Sequence, residues 1–341
     1  MGFCIKSLRV FTLKSAAMGG MIIHFLQSIL LCKADSPIQI HAESSIMKPV
    51  FPRRLALALG LCCLLATSLN LQAQTQAKVK QLDPAPKALL WVGNSFFYYN
   101  NSMHSHFGRL AAAAGVKGVR STSVTINGSG LDWHDMESLL RPDGLGRYSF
   151  VGDNEIRFNP PGRQYDSAIM MDCSQCPVHP QLQKVFHETV RKHSATLVKG
   201  GVRPVLFMSW AYKDKPEMIK GLAEQYTLAG NANDALVIPA GLAFAKVVAR
   251  RPDIELYQAD KRHPSLAGTY LAAATAYASF YRKSPVGLGY TAGLSPELVA
   301  VLQTAAWDTV EEYFKPRKFT GLKWRSDQQR LALPCRLRVF T

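Results

Sequence analysis

The chain has no period of about 20–50 residues, which excludes a solenoid or propeller. It has no zinc-finger spacing, no RNP sequence and no basic heptad to make a nucleic-acid reader. No second C-x-x-C follows Cys173-Ser-Gln-Cys176, so a four-cysteine zinc site has no support. A phosphate-binding glycine fingerprint is missing too. Neither a metal nor an organic cofactor is therefore expected. Acidic residues are scarce, 24 Asp+Glu against 40 Lys+Arg, for a formal charge of +16 in 341 residues. The excess sits mainly at the two ends. Residues 1–77 hold 7 basic against 2 acidic side chains and residues 316–341 hold 7 against 1, leaving 26 against 21 in the body. Nucleic acid is not an expected partner. What remains is ordinary globular usage, 48% hydrophobic and 19% charged, enough to build a buried core.

The basic N-terminal region has its own explanation. Lys48, Arg53 and Arg54 precede an apolar run from Leu55 to Leu69, and small residues follow at Ala73 and Ala77. This is the layout of a secretory signal peptide over residues 47–77, and it predicts a periplasmic or secreted protein. Residues 1–46 are then an upstream extension, with translation beginning at Met47. The alternative is an N-terminal membrane anchor; with the signal removed, no stable membrane insertion is expected. Four of the seven cysteines (Cys4, Cys32, Cys62, Cys63) fall in this region. Cys173 and Cys176 read as a local disulfide or a pair of thiols at a strand end, ahead of a redox motif.

Beyond a Pro-containing linker at 78–87, short apolar runs alternate with amphipathic segments over 88–315. Strands are expected at 88–93, 121–126, 167–171, 205–208, 236–238 and 254–257. Helices are expected at 102–114, 182–197, 216–228, 242–250 and 266–281. Such alternation predicts an α/β fold with a mostly parallel sheet covered on both faces. Residues 137–165, rich in Gly and Pro, read as an inserted loop or small hairpin, and 316–341 as a peripheral basic tail.

In an open parallel sheet, reacting groups gather beyond the carboxyl ends of the strands. The first strand leads there to Gly93-Asn94-Ser95, the second to Asn127-Gly128-Ser129-Gly130, and the last expected strand to Asp260-Lys261-Arg262-His263-Pro264. A serine hydroxyl is a weak nucleophile until an imidazole takes its proton. Pro264 steers His263 to extended geometry, and Asp260 stands three residues before it, within reach of one ring nitrogen.

These segments resemble the SGNH (GDSL-like) hydrolase family, in a secreted branch. WVGNSFFYYNNSM resembles its first block, with Asn94 in place of Asp; NGSGLDWH its second; YDSAIMMDCSQCP its third; ADKRHPSLAGTYLAA its last. The resemblance covers roughly 86–285 and implies a three-layer α/β/α flavodoxin-like fold and serine-based ester hydrolysis. Carried over residue by residue, it makes Ser95, Asp260 and His263 catalytic and gives Ser95 and Gly128 oxyanion-hole roles. The third block departs from the family: Met171 stands where an amide side chain is usual. Ser174 or Gln175 is expected to replace that donor. Asn94, Trp133 and Trp210 are expected to line the substrate site, with Tyr98 and Tyr99 offering further aromatic faces. The expected substrate is a small-molecule or glycan ester, specifically a short acyl ester on a carbohydrate. An O-acyltransferase, a binding protein on a degenerate scaffold and a thiol oxidoreductase are the alternatives.

Overall fold

In a computed structural model of the protein, residues 75–142, 144–152 and 154–315 are described. The expected signal segment up to residue 74, the expected upstream extension and the basic tail lie outside the described residues.

Every residue of Ala88–Leu89–Leu90–Trp91–Val92–Gly93 is buried, as a strand covered on both faces must be. This is β1. It pairs in parallel with β2 (Arg120–Thr125) on one side and β5 (Ser167–Met170) on the other. β6 (Arg203–Phe207) and β7 (Leu236–Ile238) extend the sheet, giving the order β2-β1-β5-β6-β7 with all pairs parallel. Counting sheet strands alone, this is 2-1-3-4-5, the flavodoxin-like order, whose switch point lies between its first and third strands.

Strand side chains alternate between two cores. Leu89, Trp91, Ile169, Val205, Phe207, Leu236 and Ile238 face one side. There they meet α2 (Met103–Ala113), α6 (Ala240–Arg250), α7 (Leu266–Tyr281) and α8 (Pro296–Phe314). Leu90, Val92, Ala168, Met170, Leu206 and Val237 face the other, against α4 (Gln183–Lys199) and α5 (Met218–Ala232). The first side is two helices deep. From Ala267 to Phe280, α7 is buried on every side, which explains its run of Ala, Gly, Ser and Thr: small side chains let neighbouring helices approach.

Several expectations need correction. Residues 254–257 form no strand; only Tyr257 makes an isolated bridge, to Pro264. With β7 already at the sheet edge, this segment serves as a loop. Residues 78–87 are not a free linker. Leu82 is buried, as is Ala77 just before it, and both join the first core. The Lys78 N–H donates to Asn231 Oδ1 at 2.7 Å. α8 was not anticipated, although Ser295-Pro296-Glu297 carries a helix-start signature; the Ser295 hydroxyl accepts from the Leu298 N–H at 3.3 Å. The 137–165 region contains an antiparallel hairpin, β3 (Tyr148–Gly152) with β4 (Glu155–Phe158), after the short helix α3 (Met136–Leu139). Among the described residues no helix is long and apolar enough to cross a membrane.

Candidate active site

At the carboxyl end of β1 the chain turns into a four-residue helix, α1 (Ser95–Tyr98). Asn94 adopts extended geometry and its Oδ1 accepts from the Phe96 N–H at 3.2 Å, capping α1. Its Nδ2 donates to Ser129 O (3.0 Å) and Asp172 O (3.2 Å). One amide thus ties the loops after β1, β2 and β5 together. Asn94 is buried with both ends of its amide engaged, so it is a tie between loops and not a substrate-lining side chain.

The Ser95 Oγ lies 2.8 Å from His263 Nε2. On the far side of the ring, His263 Nδ1 meets Asp260 Oδ2. Asp260 Oδ1 accepts from the backbone N–H groups of Arg262 and His263, each at 2.9 Å. Desolvation pushes the Asp260 carboxyl up, but the His263 ring and these two N–H groups outweigh it and hold the acid down at about 2. Asp260 is therefore ionised at neutral pH and takes the Nδ1 proton as its hydrogen-bond partner. The Nε2 lone pair is left to face the serine hydroxyl. The three expected residues are brought together in one hydrogen-bonded chain, although Ser95 and His263 are 168 positions apart.

Aromatic rings fix the imidazole. Tyr99 stacks on His263 with centroids 4.2 Å apart and planes 12° from parallel, and Phe96 meets it edge-on at 5.2 Å. Phe96 in turn stacks on Trp210 at 4.8 Å, and Trp210 on Phe244 at 4.3 Å. The Trp210 indole N–H donates to Arg262 O at 2.9 Å. Trp210 has no exposed surface. Its expected role as a lining residue is thus corrected: it braces the histidine loop from inside. Trp133 is 62% exposed, on a short 3₁₀ turn, Leu131–Trp133.

The loop after β2 carries Gly128 at φ +70° with open space where a Cβ would stand, a conformation that suits glycine. Next to it, Gly130 has no room for a side chain: a Cβ would fall 2.4 Å from Asp132 Oδ1 and 3.0 Å from Asp172 Oδ1. Two buried histidines support this loop. His134 Nε2 donates to Gly93 O at 3.0 Å, and His193 Nε2 donates to Leu131 O at 2.9 Å. Burial lowers both below the ordinary imidazole value, which keeps them neutral.

Beyond β5, Met171 is wholly buried in the core and has no polar group to offer. Asp172 follows it, and its Oδ1 accepts from the Leu131 N–H (2.8 Å) and the Cys173 N–H (2.7 Å). Burial nevertheless pushes its carboxyl up to about 6, helped by the nearby charge of Asp132. Cys173 and Cys176 form a disulfide. The Ser174 hydroxyl pairs with the Tyr212 hydroxyl at 2.7 Å, and Gln175 is exposed. The third-block candidates for an oxyanion donor are thus placed in other surroundings: a hydroxyl pair for Ser174, open solvent for Gln175. Tyr99, expected only as an aromatic face for substrate, instead stacks on His263. The supporting roles of Asp172, His134 and His193 have no signal in the sequence. Two of the three stand inside recognised blocks, but nothing in the spacing distinguishes a supporting residue from a filler.

No family model matches this chain. No curated protein matches it either. Solved structures similar to it include SGNH hydrolases and esterases. A DUF4886 family protein from Bacteroides uniformis is 17% identical, with a TM-score of 0.47 over 69% of this chain and 98% of that one. A candidate SGNH hydrolase from Slackia heliotrinireducens is 20% identical, with a TM-score of 0.40 over 56% of this chain and 97% of that one. A catalytic variant of an acetylxylan esterase from Geobacillus stearothermophilus is 15% identical, with a TM-score of 0.40 over 61% of this chain and 96% of that one.

Proposed function

We propose that the protein is a serine esterase that removes short acyl groups, acetyl foremost, from a carbohydrate-like substrate outside the cytoplasm. The observation that carries the ester chemistry is the hydrogen-bonded chain Ser95–His263–Asp260 at the carboxyl edge of the sheet. As the Ser95 oxygen attacks the ester carbonyl, His263 Nε2 takes its proton and Asp260 stabilises the imidazolium that forms. Negative charge develops on the carbonyl oxygen. The backbone N–H groups of Ser95 and Gly128 are its donors, and neither depends on side-chain identity. His263 then returns the proton to the leaving alcohol, giving an acyl-enzyme. Water, activated by the same imidazole, attacks the acyl carbon and releases the acid with Ser95 restored.

The carbohydrate part rests on exposed aromatic faces. Trp133 is 62% and Tyr98 38% exposed; Tyr98 lies within the helix that Ser95 opens, its hydroxyl donating to Asn127 Oδ1 at 2.9 Å. Flat aromatic faces of this kind stack on sugar rings. Export is supported by the Cys173–Cys176 disulfide, since such bonds persist in oxidising compartments. Because Ala77 is part of the core, cleavage after Ala73 is the site compatible with the folded unit.

The test is a panel of short-chain and sugar acetate esters with the wild-type protein and Ser95→Ala, alongside labelling by a fluorophosphonate. Turnover and labelling in the wild type, both lost in Ser95→Ala, are expected. Turnover that survives Ser95→Ala would overturn the mechanism.

A further inference from the structure

The serine and histidine stand on loops from opposite ends of the domain sequence, and their 2.8 Å approach requires something to set the distance. The backbone between α1 and α2 is unusual at that point. Asn100, Asn101 and Ser102 all have positive φ, at +54°, +65° and +67°. Three consecutive non-glycine residues in this region are costly, and such strain persists only where surrounding contacts enforce it. The contacts are visible. Both hydrogens of Asn100 Nδ2 are used, one donated to Pro264 O at 2.9 Å and the other to Thr269 Oγ1 at 2.8 Å. Pro264 directly follows His263, and Thr269 lies in the first turns of α7. The Asn100 carbonyl accepts from His106 Nε2 at 2.6 Å, and His106 Nδ1 is left to accept from the Tyr290 hydroxyl at 2.8 Å. The Tyr290 carbonyl accepts from the Tyr270 hydroxyl at 2.7 Å, which itself accepts from buried Gln303 Nε2 at 2.8 Å.

We propose that Asn100 is a positioning residue that clamps the loop bearing Ser95 to the loop bearing His263, anchored through His106 and Tyr290 to α7 and α8. The residue type follows from the site. Asparagine tolerates positive φ better than most side chains, and its short amide offers two hydrogens to two oxygens. Aspartate has the same shape and donates neither. Glycine has the backbone freedom and no bridge. The clamp rests on the serine-esterase reading for its catalytic consequence, but its geometry does not.

The experiment compares Asn100→Asp, Asn100→Gly and Thr269→Val with wild type in three measurements. These are kcat and KM on a short acetate ester, the rate of fluorophosphonate labelling of Ser95, and the downfield proton resonance of His263 Nδ1–H. Asn100→Asp and Asn100→Gly should each lower kcat by about 10–100-fold with KM little changed, the pattern of misplaced reacting groups. Labelling should slow in parallel and the Nδ1–H resonance should broaden. Thr269→Val, which removes one of the two bonds and stays close in shape, should show the same pattern in weaker form and serves if the Asn100 variants fail to fold. A wild-type resonance and wild-type kcat in folded Asn100→Gly, or in Thr269→Val should the Asn100 variants not fold, would overturn the clamp. Failure of the esterase reading looks different: no turnover and no labelling in the wild type, with the resonance still sensitive to Asn100.

Discussion

The loops that follow β1 and α6 differ in kind from the loop that follows β5, although all reach the same edge of the sheet. In the first two, the polar groups nearest Ser95 have assigned partners: Asn94 caps α1 and ties three loops, Asp260 holds His263, and Trp210, from the loop after β6, braces Arg262. Beyond β5 the chain offers a buried Met171, a carboxyl raised by burial and a closed disulfide. In the reaction proposed above the first pair supplies proton transfer, which needs particular side chains. The third supplies shape and backbone direction, which many side chains can satisfy. A substitution in the former should therefore be read in kcat, and one in the latter mainly in stability.

The largest effect expected is at Ser95. Ser95→Ala should lower kcat/KM by at least about 10³-fold, with stability changed by no more than about 1 kcal/mol because little packing is lost. His263→Ala should match it, since the two act as one unit, and Asp260→Asn should cost less. Comparable activity in all three and the wild type would erase the distinction between the loops. Next comes Trp210→Ala. The side chain is fully buried between Phe96 and Phe244, so a loss of about 3–5 kcal/mol is expected in denaturant unfolding. A loss under about 1 kcal/mol would return Trp210 to the substrate side.

Two carboxylates sharpen the comparison through opposite pH signs. Asp172, with its folded-state value raised to about 6, binds more protons folded than unfolded between about pH 4 and 6. Its contribution to stability is therefore greatest at low pH and is lost as pH rises through 6, by up to about 3 kcal/mol. Asp260, held at about 2, contributes stability above about pH 4 that is lost as pH falls towards 2. Asp172→Asn should thus gain in melting temperature relative to wild type from pH 4 to pH 7, whereas Asp260→Asn should lose relative to wild type as pH rises from about 2 to about 4. Parallel curves for Asp172→Asn and wild type would contradict a raised Asp172. The smallest effect belongs to Gln175. It is exposed, so Gln175→Ala should leave kcat within about threefold. A fall of about 100-fold or more is what losing an oxyanion donor costs, and it would show that the loop after β5 takes part in the chemistry after all.

Much of this was legible in the residues. β1, β7 and α7 fall where apolar runs and caps place them, because a strand buried on both faces leaves an unbroken apolar signature. The meeting of Ser95, His263 and Asp260 was readable because the proton transfer proposed for them tolerates few residue types. The segment 254–257 misled for the converse reason: Ile254, Leu256 and Tyr257 are apolar because they pack under α7 and α6, not because they pair in a sheet. Asn94 and Trp210 were placed near the site correctly but on the wrong side of its wall. Which way a polar or aromatic side chain turns depends on tertiary partners such as Ser129, Asp172 and Phe244, none adjacent in sequence.

The 168-residue gap between Ser95 and His263 also sets a clock. The serine is made early and the imidazole late, and the helix that seats Asn100's partner Thr269 later still. Every partial chain released or stalled before residue 263 holds the Ser95 hydroxyl with no His263 to meet it. The esterase activity proposed for this pair would therefore be absent from a nascent chain until folding brings His263 back to Ser95.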